Sequence, residues 1–258
     1  MSLVHAEYLK VTRRKLVPVM TLILALLMGF LGVLFFLILP ALPESAGGGG
    51  AVVPQRPDAF IFGAQQVAGQ AWWFAVIVAT AVFGGELSTT VWATSLTRDS
   101  RRVLHIGSKF GVYTVASWLA LIIATGVSAV VTLLFAEGSG GPDVGEWLGL
   151  LWKFGVISAA WTSIGLGAIG LTRSIPSAMA IALGLSFVDS VVAPFVDLYE
   201  NISLTAASNG IFAVTVGGGF SELSPGANMS IAHAVLVMLG WIVFGLAGTS
   251  WGLQRRDA

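Results

Sequence analysis

The sequence predicts an all-α integral membrane protein with six transmembrane helices. It adds an N-terminal amphipathic interfacial helix and short outer re-entrant or interfacial helices before the last span. Three observations carry this expectation. The 258 residues are 56% hydrophobic and only 10% charged, where a soluble domain carries about 25% charged residues. Six apolar runs each supply the roughly 20 residues that a helix needs to cross a hydrocarbon core of about 30 Å. The basic residues also gather on alternate loops, the mark of a chain with a fixed orientation in a bilayer.

The first fifteen or so residues are polar, and the apolar run that follows residues 3–15 is too long for a signal peptide h-region. Residues 3–15 read as an amphipathic helix on a membrane surface. Leu3, Tyr8, Leu9 and Val11 would face lipid, and Lys10, Arg13, Arg14 and Lys15 would meet anionic headgroups. A positive flank that only sets topology is the alternative. The spans follow at 16–39, 66–85, 110–135, 147–171, 176–196 and 231–253. Gln65, Gln66 and Gln70 make the outer end of the second span polar. Residues 41–58, rich in Gly and Pro, read as an irregular linker, and GSGGPD at 138–143 as a turn. Residues 197–230 are semi-apolar but interrupted by Gly and Ser. They read as short helices at or dipping into the outer interface, where protein or water must satisfy the backbone. All of this forms a single transmembrane domain over 1–258.

Charge sets the orientation. Eleven of the thirteen Lys and Arg precede span one, lie between spans two and three or four and five, or follow span six. The other loops hold Glu44, Asp58, Glu137, Asp143, Glu146, Asp197, Glu200 and Glu222, opposed only by Arg56. Both termini are therefore expected in the cytosol.

Between spans two and three lies ELSTTVWATSLTRDSRRVLHIGSK, residues 86–109. This basic, helix-capable insert is longer than a topology signal requires. It reads as a cytosolic coupling loop that seats a helix in another protein. Trp92 and Leu96 would give apolar contact, and Arg98, Arg101 and Arg102 would pair with acidic residues. Glu86, where the helix leaves lipid, would pair with a basic residue of the N-terminal helix or stay solvated.

The chain resembles the six-span permease subunits of bacterial type-2 ABC exporters. The resemblance is carried by the opening AEYLKVTRRK, by Glu86 at the cytosolic end of span two, by the basic cluster Arg98/Arg101/Arg102, by Lys109 opening span three and by the short basic tail GLQRRDA. It implies a dimer with a second permease copy or a homologous permease. It also implies two copies of a cytosolic ABC ATPase subunit that carry ATP and magnesium. The sequence contains no G-x-x-x-x-G-K-[ST] phosphate loop, so ATP hydrolysis is expected in the partner and not here. The expected location is the bacterial inner membrane.

Two ionisable residues lie inside spans. Lys153 and Asp189 each sit about seven residues from the outer end of their span, roughly 10 Å deep at about 1.5 Å per residue. Isolated charges at that depth pair or face a cavity, so a Lys153–Asp189 ion pair is expected. The alternative is a snorkelling lysine and a hydrated aspartate. Small residues repeat every four positions at Ala159, Ser163 and Gly167, at Ala180 and Gly184, and at Gly248 and Gly252. They would allow close helix approach, within the chain for spans four and six. His5, His105 and His233 lack metal-ligand spacing and there is no Cys, so no metal or other cofactor is expected in this chain. Lipids are expected partners and nucleic acid is not.

The expected function is that of a permease moving an amphiphilic or hydrophobic compound outward. That compound could be a drug, a lipid-linked molecule or a peptide. Two alternatives from other classes remain at this point: a self-contained channel or proton-coupled carrier using Asp189, and a non-transporting immunity or scaffold protein.

Overall fold

The computed structural model describes residues 3–38, 56–89, 102–136, 143–212 and 229–254. Among them there is no strand. The helices are α1 (Leu3–Arg13), α2 (Leu16–Val33, continuing as a π-helical turn Leu34–Ile38), α3 (Arg56–Gly69), α4 (Ala71–Ser88), α5 (Arg102–Phe135), α6 (Val144–Thr172), α7 (Ile175–Val192), α8 (Asp197–Glu200), α9 (Leu204–Gly210) and α10 (Ile231–Gln254). A 3₁₀ turn, Ala193–Phe195, separates α7 from α8. Among the described residues six segments are long and apolar enough to cross a membrane: Leu16–Leu37, Ala59–Ser88, Val103–Phe135, Val144–Thr172, Ile175–Val192 and Ile231–Gln254.

The second span begins earlier than its glutamines suggested. Helix starts at Arg56, not near residue 66, and α3 and α4 form one bent span. The bend is at Gln70, whose backbone leaves ideal helix at φ −92°, ψ −5°. Its N–H still bonds the Val67 carbonyl at 3.0 Å, and its carboxamide accepts from Trp73 Nε1 at 2.8 Å. The polar side chain thus has a partner within the span.

The insert between spans two and three is also shorter than its charges suggested. Helix α4 runs to Ser88 and α5 starts at Arg102, so both ends of the 86–109 stretch are helical. With 34 residues, α5 is about 51 Å long, well beyond a hydrocarbon core. Within the 197–230 stretch, α8 and α9 are the expected short helices, and α9 is buried along Leu204, Ala206, Ala207, Ser208 and Gly210. Residues 213–228 lie outside the described residues.

Helix α6 is the centre of the bundle. Asp143 caps its start, accepting from Val144 N at 2.7 Å, and Glu146 returns the favour to Asp143 N at 2.9 Å. Its end is a sharp reversal. Arg173 takes a left-handed φ of 54°, its N–H bonds the Ile169 carbonyl at 2.8 Å, and Pro176 opens α7. The small-residue stripes on α6 and α10 meet each other, as the spacing predicted for these two spans. A Cβ on Gly167 would stand 2.8 Å from the Gly245 carbonyl oxygen, and one on Gly252 2.5 Å from that of Gly170. The two helices therefore touch backbone to backbone. The Ala180/Gly184 stripe of α7 stays exposed, and a Cβ on Gly184 would meet nothing within 4 Å.

Candidate functional site

Three chain segments converge on the basal face of the bundle, where α1 packs. Glu7 and Lys10 are three residues apart on α1 and so share a face. Glu86 lies in the last turn of α4, and Lys109 lies two turns into α5. Their four side chains close a ring. Lys10 Nζ is 2.8 Å from Glu7 Oε1 and 3.0 Å from Glu86 Oε1. Lys109 Nζ is 2.9 Å from Glu7 Oε1 and bonds Glu86 Oε2. Two carboxylates and two ammonium groups alternate, so the ring carries no net charge.

The ring is dry on three of its four corners. Glu7, Glu86 and Lys109 are almost fully buried, and Lys10 is the corner that reaches solvent. The Phe83 ring lies 5.1 Å from the Lys109 ammonium. Tyr113, one turn beyond Lys109 on α5, places its hydroxyl beside Glu7. Neither that hydroxyl nor Glu7 Oε2 completes a hydrogen bond.

The ring governs the ionisation of its α1 members. Burial pushes the Glu7 carboxyl up, but the Lys109 charge and the hydrogen bonds from Lys10 and Lys109 outweigh it and hold the group below the ordinary carboxylate range. Burial pushes Lys10 down, and Glu7 and Glu86 more than reverse this, leaving it above the ordinary lysine range. Both groups are thus held charged by each other's presence.

Arg14, at the turn between α1 and α2, adds a second anchor. Its guanidinium donates to the carbonyls of Ala81 and Val82, each at 3.4 Å. Gly85 makes room, since a Cβ there would stand 3.3 Å from that guanidinium. These contacts correct the expected face of the N-terminal helix. Lys10 and Arg14 turn their charged ends toward the bundle, Lys10 with about a third of its side chain still exposed. Of the four residues expected to face lipid, Val11 is buried in protein and Tyr8 is exposed, while Arg13 and Lys15 remain outward. The physical reason is that Glu7 shares the face with Val11, and its carboxylate finds two cations in the bundle.

The remaining predicted residues fall in three places. Glu86 is in the ring, paired with α1 as one of its two expected states. Arg102 opens α5. Trp92, Leu96, Arg98 and Arg101 lie outside the described residues.

The expected Lys153–Asp189 pair does not form. Asp189 is fully buried and accepts from the Thr205 N–H at the start of α9 at 2.5 Å. Tyr199 on α8 stands beside it, and burial together with the Asp189 charge and hydrogen bond pushes that phenol up to about 12. Asp189 thus fastens α7 to the short helices. Lys153 instead points its ammonium at the Phe212 ring, 5.2 Å from its centroid. Equal depth brought no contact, because the short helices offer Asp189 nearer donors.

Glu7 and Lys109 carry the site beside Glu86, yet charge counting treats them as flank residues. The signal available was their placement: an acid inside a basic segment and a lysine within a helix-capable run. No nucleophile and base are paired in the ring, and among the described residues no three ligating side chains form a metal site. The ring ties α1, the end of span two and the start of span three to one another. Comparison with known proteins gives no match to any family model and none to a curated protein.

Proposed function

We propose that this chain is the transmembrane permease subunit of an ABC exporter. In this reading it moves an amphiphilic or hydrophobic compound outward, driven by two copies of a cytosolic ATPase that bind ATP and magnesium. It acts with a second permease copy or a homologous one, in a bacterial inner membrane with both termini in the cytosol.

The observation that carries this reading is the buried ion ring. The basic stretch containing Arg98, Arg101 and Arg102 is anchored at both ends, by Glu86 before it and Lys109 after it, to one network that also holds α1. A partner that displaces this stretch therefore moves spans two and three together. Through α1 and the Arg14 turn it also moves span one. A single topology signal has no need of such a joint.

The test is replacement of Arg98, Arg101 and Arg102 together with Glu. Like charges then face the partner's acidic cleft. The variant is expected to insert normally, to lose ATPase pull-down and to lose stimulation of ATP hydrolysis. Normal binding and stimulation would return the segment to a topology signal.

A further inference from the structure

Asp189 is held at one carboxyl oxygen and not at the other. The residue is fully buried in α7, and the Thr205 N–H bonds its Oδ2. Oδ1 is buried as well and has no hydrogen-bond partner among the described residues. A buried carboxyl oxygen without a donor is destabilising, and a polar molecule that reaches it removes that cost.

A polar cavity of about 80 Å³ adjoins this residue. It is lined by Ser186 and Ser190 of α7, Thr205 and Ser208 of α9, Trp161 of α6 and Gly69 of α3. Ser186, Asp189 and Ser190 are three and four residues apart on α7 and share one helix face. Thr205 serves both features, since it lines the cavity and its N–H holds Asp189. Gly69 is the last residue of α3, next to the bend at Gln70. The cavity thus lies within the bundle, where spans two, four and five meet α9.

The walls specify the occupant. The Ser190 and Ser208 hydroxyls already donate to the carbonyls of Ser186 and Leu204, each at 2.8 Å. What these hydroxyls and Asp189 Oδ1 still offer is acceptor capacity. An acyl chain would leave every one of those acceptors unanswered. A hard metal cation draws several carboxylate or carbonyl oxygens, and among the described residues no three His, Asp or Glu side chains gather. Water donates twice and is at home where two to four polar groups surround it. At about 30 Å³ each, about two or three waters fit.

We propose that this cavity is a hydration site inside the bundle, whose ordered water donates to Asp189 Oδ1 and to the serine hydroxyls and so joins α7 to α9 beside the bend of span two. The site does not depend on how the protein is powered.

The test is X-ray radiolytic labelling of the full-length protein in nanodiscs, in which hydroxyl radicals form from water and mark the side chains next to it. Trp161 is 2% exposed, yet it is expected to be marked. Trp118, which lines an apolar groove between α5 and α6, should stay unmarked. On mixing with water enriched in heavy oxygen, the mark at Trp161 should take up the isotope more slowly than the mark at Tyr8, which is 56% exposed on α1. Ser208→Val fills the cavity and should abolish the mark at Trp161 while that at Tyr8 persists. Ser186→Val serves in its place if Ser208→Val fails to fold. An unmarked Trp161 in the wild type overturns the proposal, and so does a mark that survives in a folded cavity-filling variant or exchanges as fast as that at Tyr8. A mark at Trp161 that changes when sodium is replaced by N-methylglucamine would assign the cavity to a cation and overturn the proposal as well.

Discussion

Replacing Lys109 with Met tests whether the ion ring holds α1 to the bundle. Met has nearly the same length and leaves no large void, so the change isolates the charge. Lys109 is 1% exposed and its ammonium contacts both Glu7 and Glu86. Without it, two buried carboxylates face one ammonium, Lys10, at 2.8 and 3.0 Å. Lys10 is 32% exposed at its side chain, so solvent weakens its compensation. One negative charge is then buried without a partner, which costs about 3–5 kcal/mol. Adding Glu86→Gln removes that charge and leaves the neutral Glu7–Lys10 pair, so the double variant should return to within about 2 kcal/mol of wild type. The assay is reversible unfolding in mixed detergent micelles followed by tryptophan fluorescence, with proteolysis of α1 as a second readout. A cost below about 1 kcal/mol for Lys109→Met, or additive effects in the Lys109/Glu86 cycle, would refute the ring as a stabilising joint.

Three further outcomes are expected. Because Glu7 is held below the ordinary carboxylate range, its contribution is full above that range and is lost as pH falls through the lowered value. Lys10, held high, contributes fully below the ordinary lysine range and loses this as pH rises through its raised value. Melting curves against pH should therefore show an acid limb in wild type that is reduced in Glu7→Gln. Gly252→Val should destabilise by about 1–3 kcal/mol or more, because its Cβ meets the Gly170 backbone, whereas Gly184→Ala, which meets nothing, should be near neutral by thermal unfolding. A Cys at Gly48 should react with an impermeant thiol reagent added outside cells and one at Ser100 should not; the reverse would overturn the proposed orientation.

The six spans were legible because a bilayer demands a long apolar run and the sequence supplies six. Their ends were less legible, for a specific reason. Hydropathy stops a span at its first charges, so Glu86 and Lys109 marked the edges of an insert. In the structure these charges neutralise each other and α1, and the helices run on through them. Their partners lie 23, 76 and 102 residues apart, beyond any local window. Gln65, Gln66 and Gln70 misplaced the start of span two in the same way, since a polar residue with a partner, as Gln70 has in Trp73, bends the span there and does not end it. The Lys153–Asp189 expectation failed on azimuth. Depth can be counted from sequence, but the face each residue presents is set by packing, and α8–α9 captured Asp189. The small-residue stripes of α6 and α10 succeeded because periodicity does encode azimuth.

The two kinds of contact divide the bundle mechanically. Along α6 and α10 the glycines put backbone against backbone, and such a seam cannot slide without steric overlap. At the basal face the ring joins α1, α4 and α5 through four long side chains, in which each lysine already contacts both carboxylates. These contacts fasten α1 and the ends of spans two and three to one another as a unit. A push on the chain between Ser88 and Arg102 therefore acts first on α4, α5 and α1, and through the Arg14 turn on α2. Helix α4 is packed closely on α6 as well, since a Cβ on Gly165 would stand 3.2 Å from Val76 Cα, so such a push is passed on to the α6–α10 seam. The ring and the glycine seams thus form one continuous path of contacts from the proposed input surface to the centre of the bundle, the path that the proposed energy coupling would use.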